Sequence, residues 1–324
     1  MTPLYSCSMA DPHYSIEDLG DRRVLTMEGR TYQPTRYSKR VIEMLIARKG
    51  NRAPLYFPFK ELRAPLYLDP LFRWLRTCGA RSLAVLEVGC SFGHMTEYLA
   101  EQPEVATIAT FDVDPHFVEI VRTKVEEMHL DKVREVALLS NEGTRRLPWR
   151  DGAFDLVLAV GIIEHLPRDR RTLVDEYYRV LAPGGHIAIL DTPNRWFPME
   201  THSIRLPGVQ WLPPKWAYRY ARLFRPKLRT IDYKDFVADG TGWRNATLAE
   251  CLPSSGWSEI EDVTEAAGYG SRFFPKVAGR RMIRLGPIFA GLVRTSRFAR
   301  VTPSRWLPYF NLVFRKRPTP TRRG

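Results

Sequence analysis

The residues of this chain best suited to chemistry fall in two groups. The first lies in VLEVGCSFGHMTEYLA, from Val85 to Ala100, where an apolar run passes through Gly89, Ser91 and Gly93 into a helical pattern. Glycines there let backbone approach a ligand, and the helix start offers free N–H groups to an anion. The GxGxxG of a dinucleotide site is absent. Asp112 ends the next apolar run, 19 residues beyond Gly93, where a carboxylate can accept two ribose hydroxyls. A strand before the turn and an acid after it favour a nucleoside site over an ordinary βα turn.

The second group is histidine, the side chain that titrates nearest neutrality, at about 6.5. His94 follows the glycine turn. His186 lies on a strand and reads as a packed residue. His165, in IIEHLP, stands where the carboxyl end of a parallel sheet opens to ligands; the competing reading is a histidine that fixes its loop by bonding to backbone. His202, in METHS, follows the next strand and can reach the same opening. Glu164 beside His165 raises a metal, but one carboxylate with His165 and His202 supplies an octahedral magnesium site poorly with oxygens, so no metal is expected.

The elements that must position these residues are legible from Leu83 onward. LAVLEVG, VATIATFDV, VREVALL, FDLVLAVG and GGHIAILDT are apolar runs of strand length, separated for the most part by helical segments such as PHFVEIVRTKVEEM and RDRRTLVDEYYRVL. Such runs are buried on both faces, and the intervening helices are crossovers, so the fold class is α/β: a Rossmann-like, mostly parallel sheet with helices on both faces. Residues 1–35 read as arm and loop, followed by a short helix over 36–49, a break at 51–58, and a helix from Pro70 to Cys78 closed by Gly79. A further helix is expected near Leu248 to Leu252, and strands near Trp257 to Val263 and from Tyr309 to Arg315. Residues 193–243 interrupt the rhythm with six prolines and with Trp196, Trp211, Trp216 and Trp243. They are too apolar for a disordered linker and read as a lid. The organisation expected is an N-terminal arm with helices (1–80), a cofactor-binding half (81–192), a lid insertion (193–246) and a C-terminal part with a basic helical segment and the last strand (247–324).

EVGCSFG (Glu87 to Gly93), FDVDP (Phe111 to Pro115), LPWRDGAFDLVLAVGIIEHLPRD (Leu147 to Asp169) and LVDEYYRVLAPGGHIAILDTPNR (Leu173 to Arg195) resemble, in order and spacing, the class I S-adenosylmethionine-dependent methyltransferases. The resemblance covers roughly residues 83 to 263. It implies a seven-stranded sheet with an antiparallel last strand and S-adenosylmethionine as cofactor. Glu87, Gly89, Ser91 and Gly93 would surround the amino acid part, with Cys90 and His94 beside them, and Asp112 would hold the ribose, followed by Val113. The acid that faces the adenine amino group falls by spacing at Gly143, with Glu142 one place away. Val160 and Gly161 complete the cofactor set. Ser91 stands where the family pattern has its middle glycine, which is tolerable at negative φ. Some metal-using relatives carry a glutamate three residues before Glu164; here that position is Gly161.

The chain has 324 residues, room for one large domain with additions or two modest ones. Its four cysteines, Cys7, Cys78, Cys90 and Cys251, form no CxxC pair, and the start lacks the apolar core of a secretory signal, so a reducing, cytoplasmic setting is expected. The net charge of +13 is confined to the end: residues 271–324 hold 14 Lys and Arg and no Asp or Glu, which leaves 35 basic against 36 acidic residues elsewhere. With Phe273, Phe274, Val277, Ile283, Ile288, Phe289 and Leu292 among Arg280, Arg281, Arg284 and Arg294, this tail suits an anionic membrane surface, a peripheral association; a solvated basic face is the plainer reading.

Methyl transfer from a sulfonium needs alignment above all, and a hydroxyl acceptor also needs a base; His165 and His202 are the catalytic candidates. The acceptor expected is small, sugar-like or lipid-linked, with Trp211 and Trp216 either stacking on it or packing the lid. An RNA methyltransferase that uses the basic tail to hold phosphates is the alternative, less favoured because the body is neutral, and a non-catalytic cofactor-binding module is a third.

Overall fold

The computed structural model describes residues 12–167, 169–238, 240–270, 273, 291 and 307–318. The chain divides into two compact units, one of Cys7–Phe72 with Ala80–Ser140, the other of Arg73–Gly79 with the described residues from Asn141 onward.

The first unit opens with an antiparallel meander, β1 (Tyr14–Asp18), β2 (Arg23–Met27) and β3 (Arg30–Thr31), where the sequence suggested only arm and loop. β1 exposes nearly every side chain, so no apolar alternation betrays it. Glu28 and Gly29, at φ +51° and +72°, make the two-residue turn that matches the twist of the β2–β3 hairpin. Helix α1 (Lys39–Lys49) starts at Ser38, whose hydroxyl accepts the Val41 N–H at 3.2 Å, and it buries Val41, Ile42, Leu45 and Ile46. Helix α2 (Phe59–Thr77) begins well before the expected start at Pro70 and holds Pro65 and Pro70 inside it. Ala64, Leu68, Leu71, Phe72 and Leu75 form a continuous buried stripe, and that burial outweighs the lost backbone donors.

Next come β4 (Leu83–Val88), α3 (His94–Glu101), β5 (Val105–Asp112), α4 (Pro115–Glu127) and β6 (Val133–Leu138). β4 pairs in parallel with β5, and β5 with β6. Asp114 caps α4 by accepting the His116 N–H at 3.0 Å, with Pro115 in the first turn. One cluster joins Leu25 and Met27 of β2 and the α1 core to Phe92, Phe117 and Ile120, so the meander and α1 back the glycine turn.

The second unit carries β7 (Phe154–Val160), α5 (Arg170–Val180), β8 (Leu181–Pro193), α6 (Pro214–Phe224), α7 (Tyr233–Val237), β9 (Ile260–Asp262) and β10 (Tyr309–Lys316). β8 runs parallel to β7, and β10 is antiparallel to both β8 and β9. With β6-β5-β4 in the first unit and β7-β8-β10-β9 in the second, the sheet has seven strands, mostly parallel. Leu156 to Ala159 and Ile187 to Leu190 are consecutive and wholly buried, the signature of strands covered on both faces. Two expectations shift: the helix near Leu248 is a 3-10 turn over Leu248–Cys251, and the strand near Trp257 shrinks to β9 behind a 3-10 turn at Gly256–Ser258. Between β8 and residue 246 the chain builds its own small core from Ile204, Leu206, Val209, Leu228, Phe236 and Trp243. The basic amphipathic stretch expected from Phe273 to Arg294 lies, apart from Phe273 and Gly291, outside the described residues. No helix of the described residues is long and apolar enough to cross a membrane.

Candidate active site

In the first unit, the turn between β4 and α3 is shaped by three residues at positive φ: Gly89 (+72°), Ser91 (+47°) and Gly93 (+76°). The negative φ expected for Ser91 is not what it adopts. A left-handed conformation costs a side-chain-bearing residue about 1–3 kcal/mol, and here it aims the Ser91 N–H at Asp112 Oδ2, 3.0 Å away. Asp112 Oδ1 accepts the Asp114 N–H at 3.0 Å. The carboxylate at the end of β5 is therefore pinned to the turn, and each oxygen retains a lone pair. Burial raises its pKa, against the pull of the backbone N–H groups of Asp114, Ser91 and Val113. Gly93 is required as such: a Cβ would meet Val121 Cγ2 at 3.0 Å, at a φ that disfavours L side chains.

Beneath the turn, Glu87 is buried and takes the Thr96 hydroxyl at 2.5 Å. Burial pushes its carboxyl up to about 8, and hydrogen bonds from Thr96 and Thr110 oppose the shift. Cys90 is buried, with its thiol raised by the same cause. His94 opens α3 with its ring edge-on to Phe59 at 5.5 Å. It is 9% exposed, neither ring nitrogen has a hydrogen-bond partner among the described residues, and burial with the charges of Arg63 and Lys124 pushes its pKa down to about 3. A neutral, unsatisfied imidazole buried beside a glycine turn is costly unless a ligand meets it.

Sequence reading missed what holds this turn from behind. Lys124 of α4, 1% exposed, donates to the Phe92 carbonyl at 2.8 Å and to Glu97 Oε1 at 2.7 Å, and Tyr37 O–H donates to the same oxygen at 3.1 Å. No spacing rule links residues 37, 97 and 124; a lysine and a glutamate on otherwise apolar helix faces were the available signal.

In the second unit, Val160 ends β7, and the Gly161 N–H reaches the Leu190 carbonyl at 2.8 Å. Gly143 begins a 3-10 turn, and the exposed Glu142 pairs with Arg145 at 3.1 Å. His186 lies on β8 against the Trp74 ring at 5.0 Å, with its pKa lowered by burial to about 4, as befits a packed residue.

His165 and His202 are brought together. Their Nε2 atoms are 3.1 Å apart, and His165 Nδ1 is 2.7 Å from the Gly240 carbonyl. A carbonyl only accepts, so Nδ1 carries the proton and the neutral ring presents a lone pair at Nε2. Glu164, fully buried, places a carboxylate oxygen 3.9 Å from that nitrogen. The setting is built by arginines and a capping carboxylate. Arg170 donates to the carbonyls of Glu164 at 3.0 Å and Asn245 at 2.5 Å, and Arg195 pairs with Glu250 at 3.1 Å. Glu200 accepts four backbone N–H groups, of His202, Ser203, Ile204 and Arg205, at 2.6–2.9 Å, and so fixes the loop that carries His202. A cavity of about 40 Å³ adjoins the cluster, lined by Glu164, Arg170, Gly240, Gly242 and Trp243 among others.

Glu164, His165 and His202 each offer one ligand atom, all within 4.8 Å of one another. Two imidazoles bound at about 2.0–2.1 Å and at right angles to each other hold their nitrogens close to 3 Å apart. Two nitrogens and one carboxylate suit a transition metal or zinc better than magnesium, so the set could hold such an ion.

Residues 86–189 match the family model described as methyltransferase domain. The chain is 29% identical over 220 residues to a ubiquinone biosynthesis O-methyltransferase of Xylella fastidiosa, across 67% of this chain and 75% of that one. To a demethylmenaquinone methyltransferase of Listeria monocytogenes it is 28% identical over 199 residues, across 59% and 76%. Among solved structures, a putative sarcosine dimethylglycine methyltransferase of Galdieria sulphuraria superposes over 77% of this chain and 84% of that one, at a TM-score of 0.42 and 16% identity. The glycine turn, the pinned acid at the end of β5 and the buried, unsatisfied His94 fit a cofactor with a ribose and charged amino acid groups. With the domain match and the seven-stranded sheet, the chain is a class I S-adenosylmethionine-dependent methyltransferase, with S-adenosylmethionine as its methyl donor.

Proposed function

We propose that the enzyme methylates an oxygen of a small acceptor, sugar-like or carried on a lipid. The observation that carries this reading is the His165–His202 pair: an imidazole whose Nδ1 is committed to the Gly240 carbonyl and whose Nε2 faces a second imidazole. A sulfonium donor leaves as a neutral thioether and needs no acid; the hydroxyl that attacks it gains from a base. When bound, S-adenosylmethionine supplies an electrophilic methyl group. On this reading the acceptor's O–H bond breaks as a proton passes to His165 Nε2, and the imidazolium formed is stabilised by the Gly240 carbonyl and the Glu164 carboxylate. With His165 protonated at Nδ1, the 3.1 Å contact is a hydrogen bond from His202 Nε2–H to His165 Nε2; the acceptor hydroxyl would take that place, donating to His165 Nε2 and accepting the His202 N–H. The named activity of the Xylella relative, an O-methyltransferase, supports oxygen as the atom, and the quinone-pathway names of both relatives support a small acceptor.

Donor binding falls to the first group. Asp112 would accept the ribose hydroxyls; Glu87, Gly89, Cys90, Ser91, Gly93 and His94 would surround the amino acid part; Val113, Glu142 and Gly143 would meet the adenine, with Val160 and Gly161 completing the set. In a second reading, favoured by the ligand-atom spacing of Glu164, His165 and His202, these three residues would hold a divalent transition metal, which would supply Lewis-acid polarisation of the acceptor oxygen in place of a base.

One experiment separates the readings. The purified enzyme is assayed for methyl transfer to phenolic and sugar hydroxyls, before and after chelation and with Mn²⁺ or Zn²⁺ restored. The base reading expects activity that survives chelation and falls in His165→Ala; activity lost with the metal and regained with it establishes the second. Methylation only of amines or carbons would overturn both.

A further inference from the structure

We propose that the outward stripe of helix α6 is a docking surface for an anionic phospholipid bilayer. Among the described residues the helix is held along one face: Ala217 and Ala221, both wholly buried, belong to one cluster with Ile204, Val209, Phe236 and Trp243. Flanking that face, Trp216, Tyr220, Leu223 and Phe224 follow one another at i, i+4, i+7 and i+8, a helical apolar stripe on which Tyr220 packs partly against the core while the other three stand exposed. Trp216 is 60% exposed, Leu223 67% and Phe224 56%. Beside the stripe stand Lys215, Arg219 and Arg222, all exposed, the Arg219 guanidinium lying 5.5 Å from the Trp216 ring centre.

The charge selects the occupant. Residues 201–231 contain seven Lys and Arg and no Asp or Glu. A second copy of the chain, related by a two-fold axis, would bring like charge against like charge. A nucleic acid would accept the cations but leave Leu223 and Phe224 without a role. A bilayer rich in anionic lipid takes all of it: phosphates for the cations, the headgroup boundary for Trp216 and Tyr220, and the acyl region for Leu223 and Phe224. The surface uses residues of α6 alone, and it stands whether or not the acceptor is itself a lipid.

The test is co-sedimentation of the full chain with vesicles of phosphatidylcholine alone and with a third phosphatidylglycerol. Two variants accompany it, Leu223→Ser with Phe224→Ser, and Lys215→Ser with Arg219→Ser and Arg222→Ser. The wild type is expected to bind the anionic vesicles and to be released by salt. The apolar variant should lose about tenfold in partitioning and the basic variant its preference for anionic lipid, while both keep the wild-type melting temperature and affinity for S-adenosylhomocysteine. Vesicle binding by both variants equal to the wild type would overturn the proposal, as would retention of the wild type on RNA but not on vesicles, or dimerisation abolished by the apolar variant. Methyl transfer, read separately, reports on the proposed reaction and not on this surface.

Discussion

His165 and His202 face each other across 3.1 Å between their Nε2 atoms, and the backbone of Gly242 lies directly against both rings. A Cβ on Gly242 would fall 2.9 Å from His202 Cδ2 and 3.0 Å from His165 Cε1, at a φ of +74°. Gly242→Ala is therefore expected to push the rings apart. Turnover should fall by tenfold or more while the affinity for S-adenosylhomocysteine, read by calorimetry, stays at the wild-type value.

Removal of either ring is the direct form of the same test. A positioned base contributes about 10²- to 10⁴-fold, so His165→Ala should lose activity in that range and His202→Ala a smaller factor. Donor affinity should be spared in both. Full activity in His202→Ala would remove it from the reaction.

How much of this could be read from residue order differs between the two groups. Strand, turn and acid are local features. The meeting of the glycine turn with Asp112 could be expected because the spacing from turn to following strand is set by one helix and one strand. The fold class followed from runs such as LAVLEVG and FDLVLAVG, whose burial on both faces leaves no polar alternation. The pairing of His165 with His202 could be expected only as a shared opening; its geometry depends on Arg170, Glu200 and Gly242, which reach it through backbone contacts that no periodicity records. The β1–β3 meander escaped notice because β1 buries so little, and the φ of Ser91 was misjudged because its hydrogen bond to Asp112 lies 21 residues away in the chain.

Lys124 tests whether the turn depends on its buried support. Replacement of one partner in a buried ion pair leaves the other charge uncompensated and costs about 3–5 kcal/mol. Lys124→Met should destabilise the protein by that order in urea unfolding and weaken donor binding by freeing the Phe92 carbonyl. Lys124→Met combined with Glu97→Gln should recover much of the stability, which a purely steric role for Lys124 would not allow.

Glu87 imposes a pH dependence. Its carboxyl is raised from an ordinary 4.5 to about 8 by burial, so the folded state binds its proton more tightly than the unfolded state does. That contribution to stability is complete below pH 4.5 and is lost as pH rises through about 8. His94, lowered from 6.5 to about 3, acts in the opposite sense, with stability present above pH 6.5 and lost as pH falls toward 3. In thermal melts of the donor-free protein, Glu87→Gln should gain on the wild type between pH 5.5 and 8.5. A constant difference across that range would mean that Glu87 is ionised in the folded state.

Calorimetric titration of S-adenosylhomocysteine into wild type and Asp112→Ala addresses the pinned carboxylate proposed to hold the donor. Loss of charged hydrogen bonds of this kind costs about 1.5–3 kcal/mol. The variant should bind roughly 10- to 150-fold more weakly, with its fold intact by circular dichroism; equal affinity in a folded Asp112→Ala would contradict the placement of the donor at the β4–α3 turn.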